Sequence, residues 1–211
     1  MTYKEKINKI KNETQNAQLI VVTKNQSSNK IKQIYNLGER DFGENRVQTL
    51  MEKHKILPND IKWHMIGHLQ TNKVKYITPF IYLIQSVDSL KLLKKINESA
   101  LINKRKVNCL LQVKISSEKS KYGFEPKEVL EILSAEHKSN FPNVDIQGIM
   151  GMSSLTNNSD QIRIEFEKIN QIFRSLSPNK KILSIGMSND YQIAYEAGSN
   201  MIRIGSYIFN D

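Results

Sequence analysis

The stretch LIVVTKNQSSNKIKQIYNLGERDFGEN, residues 19–45, carries the pattern that decides the fold. It opens with a short apolar run, LIVVTK, and closes with a second short run, DFGEN. Between them lies SSNKIKQIYNLG, in which apolar residues recur three and four positions apart. That spacing predicts a helix, and the flanking runs predict strands. Two strands joined by a helix are parallel neighbours, because parallel strands need a crossover connection.

The same alternation of short apolar runs and longer amphipathic segments continues along the chain. It predicts eight strands, at residues 19–24, 41–45, 61–67, 82–87, 107–115, 144–152, 181–187 and 201–209. Eight strands that alternate with helices close into a (β/α)8 TIM barrel, and 211 residues lie near the lower end of that fold's range of about 200 to more than 400. We therefore predict an α/β fold with a single barrel domain, residues 1–211. An open, doubly wound sheet is the structural alternative.

The helical patterns are clearest in residues 3–13, 27–38, 89–102, 126–138 and 160–176. Ser28, Ser89 and Asn158 are candidate N-caps, Pro126 fits a first helical turn, and Gly38 fits a C-terminal cap. No helix is predicted after the eighth strand, so we expect the N-terminal helix to occupy the position of the missing one.

Composition excludes several classes of protein. With 39% hydrophobic and 25% charged residues, the chain can build a core. No window approaches the roughly 18–20 uninterrupted apolar residues of a membrane span, and the charged start MTYKEKINKIKNE lacks the apolar region of a secretory signal. A single cysteine, Cys109, forms no internal disulfide or CxxC site, and its apolar strand predicts a core residue. These features predict a cytoplasmic protein.

The basic balance raises the question of nucleic acid. The chain has 31 Lys and Arg against 21 Asp and Glu, a net charge of +10, which would suit phosphate neutralisation. However, the lysines occur in ones and twos along almost the whole sequence, without a dense block or an aromatic RNA-binding motif. We therefore predict no nucleic-acid partner.

Lys24 is the first candidate for chemistry, because it closes the first predicted strand and barrel active sites lie at the carboxyl ends of the strands. A lysine that emerges from a barrel interior is expected to be partly desolvated, which lowers its pKa and frees the amine for Schiff-base chemistry. The alternative is a surface lysine whose stem packs while its amine stays in water.

Other polar residues also fall at strand ends. Strands two and three contribute Gly43, Glu44, Asn45, His64 and Gly67, and strands seven and eight contribute Ser188, Arg203, Gly205 and Ser206. A serine hydroxyl and free N–H groups can bind an anion, and a glycine lets the backbone approach a ligand. Taken singly, each residue also fits a structural role, as a cap, an ion-pair partner or a packing glycine. Together they predict a phosphate-bearing ligand that faces Lys24 across the barrel mouth.

Searches for other motifs fail. Glu44 and Asn45 follow Gly43 where a P-loop requires Lys and Ser or Thr, and the sequence contains no GxGxxG, HExxH or GxSxG. Of the four histidines, only His64 and His68 are close enough in sequence to share a site, which does not suffice for zinc. We assign no catalytic residue and no metal ligand.

Seven blocks occur in an order that resembles a known family: VVTK (21–24), FGENRVQ (42–48), WHMIGHLQTNK (63–73), KSKYG (119–123), GIMGM (148–152), SIGMSND (184–190) and AGSNMIRIGSYIF (197–209). The chain resembles the YggS/PROSC (PLPBP) family of pyridoxal 5′-phosphate (PLP) homeostasis proteins, which is related to the N-terminal barrel of alanine racemase. The resemblance implies PLP bound as a Schiff base on Lys24. It further implies the PLP phosphate at Ser188, Gly205 and Ser206, the pyridine nitrogen at Arg203, and Asn45, His64 and Met150 around the ring. Thr23 stands where the family usually has a serine.

Arg203 sets an expectation about the chemistry. PLP enzymes that make carbanions often protonate the pyridine nitrogen through a carboxylate, whereas an arginine cannot accept that proton and favours a neutral ring. The racemase relatives also take a second catalytic base from a C-terminal β-domain. Because the sequence ends at Asp211, we expect that domain and racemase activity to be missing. We predict a monomeric PLP carrier or regulator without robust catalysis, with PLP-requiring apoenzymes as candidate acceptors.

Three alternatives stay open. The chain could be a small PLP-dependent enzyme that acts on amino acids, or an RNA-binding module. Lys119 and Lys121, after the fifth strand, could offer a second amine to departing PLP, although the sequence favours a solvated charge run.

Overall fold

Eight parallel strands close into a barrel in the computed structural model of the chain, which describes residues 1–15, 17–116, 122–133, 140–176 and 181–210. The strands are β1 Gln18–Val22, β2 Asp41–Glu44, β3 Lys62–Met65, β4 Leu83–Val87, β5 Val107–Val113, β6 Val144–Gly151, β7 Ile182–Ser184 and β8 Met201–Ile204. Each predicted strand is confirmed. β1 pairs with β2 on one side and with β8 on the other, so the sheet is closed and the open-sheet alternative is wrong.

Helices cover the outside of the barrel. In the described ranges they are α1 Tyr3–Glu13, α2 Ser28–Asn36, α3 Val47–Ile56, α4 Val74–Ile77, α5 Leu90–Ile102, α6 Pro126–Leu133, α7 Ser159–Ser175, α8 Tyr191–Glu196 and α9 Ser206–Phe209. A 3₁₀ turn, Thr71–Lys73, precedes α4. None of these helices combines the length and the apolar character that a membrane-spanning helix needs.

Most of the predicted helix boundaries are confirmed. The Ser89 hydroxyl accepts from the Leu92 amide, the Asn158 side chain accepts from two amides of α7, and Pro126 opens α6. Gly38 follows α2 with a φ of +103°, which suits the glycine of a C-terminal cap. The prediction that Ser28 caps α2 is wrong. The N-cap is Ser27, whose side chain accepts a hydrogen bond from the Lys30 amide.

The eighth strand is shorter than predicted. β8 ends at Ile204, and the apolar residues after Gly205 form the one-turn helix α9, so the expectation that no helix follows is wrong. A short apolar run does not by itself distinguish a buried strand from a buried helical turn. α1 packs against α9: the rings of Tyr3 and Phe209 lie 5.8 Å apart edge to face, and Lys6 donates to two carbonyl oxygens at the end of the chain. The N-terminal helix therefore supplies the cover expected of it.

Alternation along the strands separates two cores. Leu19 and Val21 of β1 point outward into the large core between sheet and helices, whereas Ile20 points into the barrel. The inner apolar cluster is small and consists of Ile20, Leu83, Leu110, Met150 and Met201. Polar side chains also fill the interior: His64, Gln85, Ser184 and Arg203 are all buried. The barrel is therefore packed, and its accessible chemistry lies at the carboxyl ends of the strands, which we call the mouth.

Candidate cofactor-binding site

Lys24 lies in a tight turn at the mouth, two residues beyond the end of β1. The Thr23 amide donates to the Gly43 carbonyl at 2.9 Å and extends the ladder by one residue. The Gln26 amide then donates to the Thr23 carbonyl at 3.0 Å, and Asn25 takes a φ of +60°. Because Ile20 points into the barrel, alternation places Lys24 on the same inner face.

The Lys24 side chain is exposed, so its predicted partial desolvation is wrong. β1 ends at Val22, two residues before Lys24, so Lys24 lies in the following turn, where it is exposed to solvent. The amine is accessible to a ligand that enters the mouth.

A buried charged network holds the backbone behind Lys24. The Lys53 ammonium donates to the Thr23 carbonyl at 2.8 Å and to Glu44 Oε1 at 2.6 Å, and the Thr23 hydroxyl donates to the same carboxylate oxygen at 2.5 Å. The side chain of Lys53 is 7% exposed and that of Glu44 0%. We call Thr23, Lys24, Glu44 and Lys53 the lysine side of the mouth.

Sequence reasoning missed Lys53, although the sequence contains a signal for it. Val47, Leu50 and Lys53 follow one another at three-residue spacing on the buried face of α3. A lysine on an apolar helix face needs a buried partner, because an unpaired buried charge is costly. Glu44 is that partner.

On the opposite side of β1, backbone amides converge on one serine oxygen. The Ser188 hydroxyl oxygen accepts from the Gly205 amide at 3.4 Å and from the Tyr207 amide at 3.2 Å. A Cβ at position 205 would lie 3.0 Å from the Val22 carbonyl oxygen, so this close approach favours glycine. Ser206 is exposed beside these amides. The proton of the Ser188 hydroxyl is left to donate, and the two amides, whose bonds to the serine oxygen are long, could exchange them for bonds to an anion.

Asp190, which sequence reasoning also missed, fixes the turn that carries Ser188. Its carboxylate accepts from the Met187 amide and from the Ser153 hydroxyl, both at 2.6 Å, and the residue is 5% exposed. We call Ser188, Asp190, Gly205 and Tyr207 the phosphate side of the mouth.

The two sides are neighbours and do not face each other across the barrel, which corrects the predicted placement of Lys24. β8 pairs directly with β1, with Ile20 opposite Arg203 and Val21 opposite Ile204. Closing the barrel brings the first and last strands together. A ligand held on the phosphate side therefore lies beside the strand that ends in Lys24.

Arg203 is buried next to these strand ends. Its Nη1 donates to the Ser184 carbonyl at 2.8 Å and to the Ser184 hydroxyl at 2.7 Å, and its Nη2 donates to the Gly151 carbonyl at 3.0 Å. Burial lowers the pKa of Arg203 to about 10, so the guanidinium stays charged at neutral pH. It is a fixed donor that accepts no proton from a ligand.

The three residues expected around the ring lie at different depths. Asn45 is half-buried at the end of β2, with Gly67 packed against its backbone. His64 is fully buried and bonded through both ring nitrogens, to Asp41 at 3.0 Å and to Gln85 at 3.1 Å. Met150 is fully buried in the inner apolar cluster. Of these three, only Asn45 is partly exposed.

Lys119 and Lys121 lie outside the described residues. Beside them in sequence, Tyr122 stacks on His68 with ring centroids 4.0 Å apart, and His68 Nδ1 lies 2.8 Å from an oxygen of Asp88. Cys109 is buried and burial raises the pKa of its thiol far above the usual range, which confirms it as an inert core residue.

The donor set fits a phosphorylated aldehyde such as PLP. An accessible primary amine can form a covalent bond with an aldehyde. The Ser188 hydroxyl can donate to a phosphate, and the amides of Gly205 and Tyr207 can do so by exchanging their long bonds to the serine oxygen. Both oxygens of Asp190, the carboxylate on the phosphate side, already accept hydrogen bonds from the protein. The guanidinium of Arg203 suits an acceptor such as a neutral pyridine nitrogen.

Comparison with known proteins identifies the family. Residues 2–211 match the model for the alanine racemase N-terminal domain. The chain is 37% identical over 195 residues to the pyridoxal phosphate homeostasis protein of Helicobacter pylori, covering 92% of this chain and 87% of that one. It is 35% identical over 210 residues to the human protein of the same name, covering 92% and 76%.

Solved structures agree with this result. PipY of Synechococcus elongatus, solved with PLP bound, matches with a TM-score of 0.89 and 30% identity over 99% of this chain and 100% of that one. An alanine racemase of Clostridium difficile has a TM-score of 0.77 at 14% identity, and this chain covers 56% of it. The racemase likeness shows a shared barrel fold.

Proposed function

The chain belongs to the alanine racemase N-terminal domain family, and from this membership we propose that it binds PLP and acts in PLP homeostasis as a carrier or regulator. The curated relatives from bacteria and from human bear the name pyridoxal phosphate homeostasis protein. PipY, whose structure contains PLP, matches this chain over almost its whole length. Both similarities support the proposal.

One observation carries the proposal: an anion cradle and a primary amine lie on neighbouring strands. The amides of Gly205 and Tyr207 meet at Ser188, and β8 pairs with the strand that leads into Lys24. Bound PLP supplies an electrophilic aldehyde at a fixed distance from a phosphate. The mouth supplies a partner for each group.

In this proposal each predicted residue has a role. Lys24 bonds covalently to the aldehyde as a Schiff base, and Arg203 donates to the pyridine nitrogen. The phosphate binds to Ser188, Gly205 and Ser206, and Asn45 flanks the ring. His64 and Met150, which are fully buried, support the ring from inside the barrel.

The same residues favour a carrier over an enzyme. A guanidinium at the pyridine nitrogen keeps the ring neutral and weakens it as an electron sink. Lys24 is exposed at the mouth, so PLP can exchange with solvent or with an acceptor protein. We propose a monomeric cytoplasmic protein that is one barrel domain and that passes PLP to apoenzymes.

The absorbance of the purified protein tests PLP binding. Added PLP should give a visible absorbance band. Borohydride should abolish this band and leave the reduced PLP group, the label, attached to Lys24. Lys24→Ala should lose both band and label, whereas Lys30→Ala, at another exposed lysine close in sequence, should keep them. An undiminished band in Lys24→Ala would contradict the role of Lys24.

A second assay separates carrier from enzyme. The PLP-loaded protein should restore activity to an apoenzyme faster than an equal amount of Lys24→Ala protein mixed with PLP does. Sustained racemase or transaminase turnover by the loaded protein alone would instead establish the enzyme alternative.

A further inference from the structure

A continuous chain of hydrogen bonds crosses the barrel interior and ends at Arg203. Asp41 Oδ1 lies 3.0 Å from His64 Nε2, and His64 Nδ1 lies 3.1 Å from Gln85 Nε2. The Ser184 hydroxyl donates to Gln85 Oε1 at 2.7 Å, and Arg203 Nη1 donates to Ser184 Oγ at 2.7 Å. We call these five residues the interior chain. They come from β2, β3, β4, β7 and β8.

The chemistry of its two ends fixes the direction of every bond. Ionised Asp41 only accepts, so His64 must donate from Nε2. Burial lowers the pKa of His64, and the neutral ring then presents Nδ1 as an acceptor. Gln85 must therefore turn its NH2 group toward His64 and its oxygen toward Ser184.

The hydroxyl of Ser184 has one proton to give. Because Gln85 offers it an oxygen, Ser184 donates there and keeps a lone pair for Arg203. The second proton of the Gln85 amide meets the Met201 sulfur, with nitrogen and sulfur 3.3 Å apart. The donors and acceptors of the chain are therefore matched from end to end.

We propose that Gln85 is a positioning residue for Arg203: its side-chain amide, oriented by His64 and Asp41, keeps the Ser184 hydroxyl as an acceptor and so holds the guanidinium in place for the pyridine nitrogen. The role at the pyridine nitrogen rests on the proposed function. The ordering of Arg203 itself does not depend on it.

The opposite orientation of the amide would break the chain at Ser184. With its NH2 group toward Ser184, Gln85 would donate to the same oxygen as Arg203 and fill both of its lone pairs. The serine proton would then have no partner along the chain, in a place where the residue is fully buried. Asp41, near the far end of the barrel, thereby sets the geometry of a group close to the mouth.

Three variants separate positioning from simple packing. Gln85→Met keeps the length of the side chain and removes both polar ends. Gln85→Glu presents a carboxyl oxygen to Ser184 whether or not it is protonated, so it should preserve the chain at that point. Gln112→Met is the matched control, because Gln112 is a buried glutamine on β5 that instead donates to the Tyr122 carbonyl.

The first measurement needs no PLP. Side-chain 15N signals of arginine-labelled protein should include one slowly exchanging guanidinium, assigned to Arg203 by its loss in Arg203→Lys. Gln85→Met should lose this protection at least tenfold, whereas Gln85→Glu and Gln112→Met should keep it. Equal protection in Gln85→Met and wild type would overturn the proposal.

The second measurement uses 15N-labelled PLP. In Gln85→Met the pyridine nitrogen signal should shift in the direction seen for Arg203→Lys, and Kd should rise roughly tenfold, as expected for a weakened hydrogen bond to a charged group. Borohydride should still label Lys24. A wild-type nitrogen signal and Kd in Gln85→Met would overturn the positioning role. Absence of PLP binding by the wild type, with the arginine signals behaving as expected, would refute the proposed function alone.

If Gln85→Met does not fold, Ser184→Ala provides the same test. It removes one of the two acceptors of Arg203 Nη1, the hydroxyl, while the Ser184 carbonyl stays, and it should lower guanidinium protection in the same direction as Gln85→Met. Retained protection in folded Ser184→Ala would contradict the proposal.

Discussion

The lysine side and the phosphate side of the mouth are built from different materials. On the lysine side, the group offered to a ligand is a long exposed side chain, and its backbone is held by the buried pair of Glu44 and Lys53. On the phosphate side, the groups offered are backbone amides, and the key residue is Gly205, which has no side chain. The first side combines an exposed reactive side chain with a buried, hydrogen-bonded base, and the second consists of backbone groups held by hydrogen bonds.

This difference suits the two tasks. A covalent bond tolerates a flexible amine, because bond formation itself fixes the geometry. A phosphate bound only by hydrogen bonds needs donors already in place, since ordering them on binding would cost affinity. The lysine side should therefore be sensitive to loss of charge, and the phosphate side to added volume.

The largest effect is expected for Lys53→Met. It leaves the Glu44 carboxylate buried without its cation, and breaking a buried pair in this way costs about 3–5 kcal/mol. Urea unfolding of the PLP-free protein measures the loss. Lys95→Met is the control, because the pair of Lys95 with Glu98 is about half exposed and such pairs contribute about 0–1 kcal/mol. A loss below about 1 kcal/mol in Lys53→Met would show that the buried pair does not support this side.

The second-largest effect is expected for Gly205→Ala, which tests the phosphate side. The added Cβ would lie 3.0 Å from the Val22 carbonyl oxygen, so that carbonyl or the backbone at position 205, with its amide, has to shift by a few tenths of an ångström. We expect affinity for PLP to fall about tenfold, or roughly 1.4 kcal/mol, as measured by fluorescence titration.

Gly38→Ala is the control for Gly205→Ala. Gly38 has a φ of +103° and open space around the position of a Cβ, so an alanine there costs roughly 1–2 kcal/mol of stability through its backbone. That site is remote from the mouth, and PLP affinity should not change. Similar losses of affinity in both variants would mean that Gly205 acts through global stability.

A third effect concerns the pH dependence of stability, and it tests the interior chain. Burial lowers the pKa values of His64 and His54, so below about pH 6.5 the unfolded chain binds protons that the folded chain does not. Stability should therefore fall as pH falls from about 6.5 toward the folded pKa, by at most about 1.4 kcal/mol per pH unit for each histidine.

Urea unfolding at several pH values between about 5 and 8 measures this slope. His64→Gln should reduce it by the contribution of one histidine, and His54→Gln should do the same at a site outside the interior chain. The pKa of Asp41 is lowered, so its contribution to stability is present above about pH 4 and lost only in more acidic solution. An unchanged slope in His64→Gln would show that the ring is not held neutral.

The fold was predictable because short-range sequence patterns indicate its strands and helices. Strands and helices alternate with their own periodicities, and barrel closure follows from eight of them. The end of β8 was not predictable in this way, since the run after Gly205 is apolar in either conformation. β8 ends at Ile204 and α9 begins at Ser206, and the local apolar pattern does not mark this boundary.

The residues of the site also differ in how far the local sequence predicts them. Lys24, Ser188 and Gly205 stand at strand ends and could be found by position. Lys53 stands in the apolar spacing of α3, which marks it as buried but does not identify its partner Glu44, nine residues away. Gln85 belongs to no recognisable spacing, and its partner His64 is 21 residues away. Such partners become visible only when the strands are placed side by side.

The smallest expected effect is that of Ser188→Ala. The hydroxyl oxygen accepts from the amides of Gly205 and Tyr207 at 3.4 and 3.2 Å, so these are long hydrogen bonds, and the amides stay in place without them. The variant loses one hydrogen bond to the phosphate but frees the two amides to donate to it instead, so we expect PLP affinity to fall only about fivefold, less than in Gly205→Ala. Ser175→Ala, at an exposed serine at the end of α7, should change nothing. A larger loss in Ser188→Ala than in Gly205→Ala would reverse the comparison, because the phosphate side would then depend on a side chain, as the lysine side does.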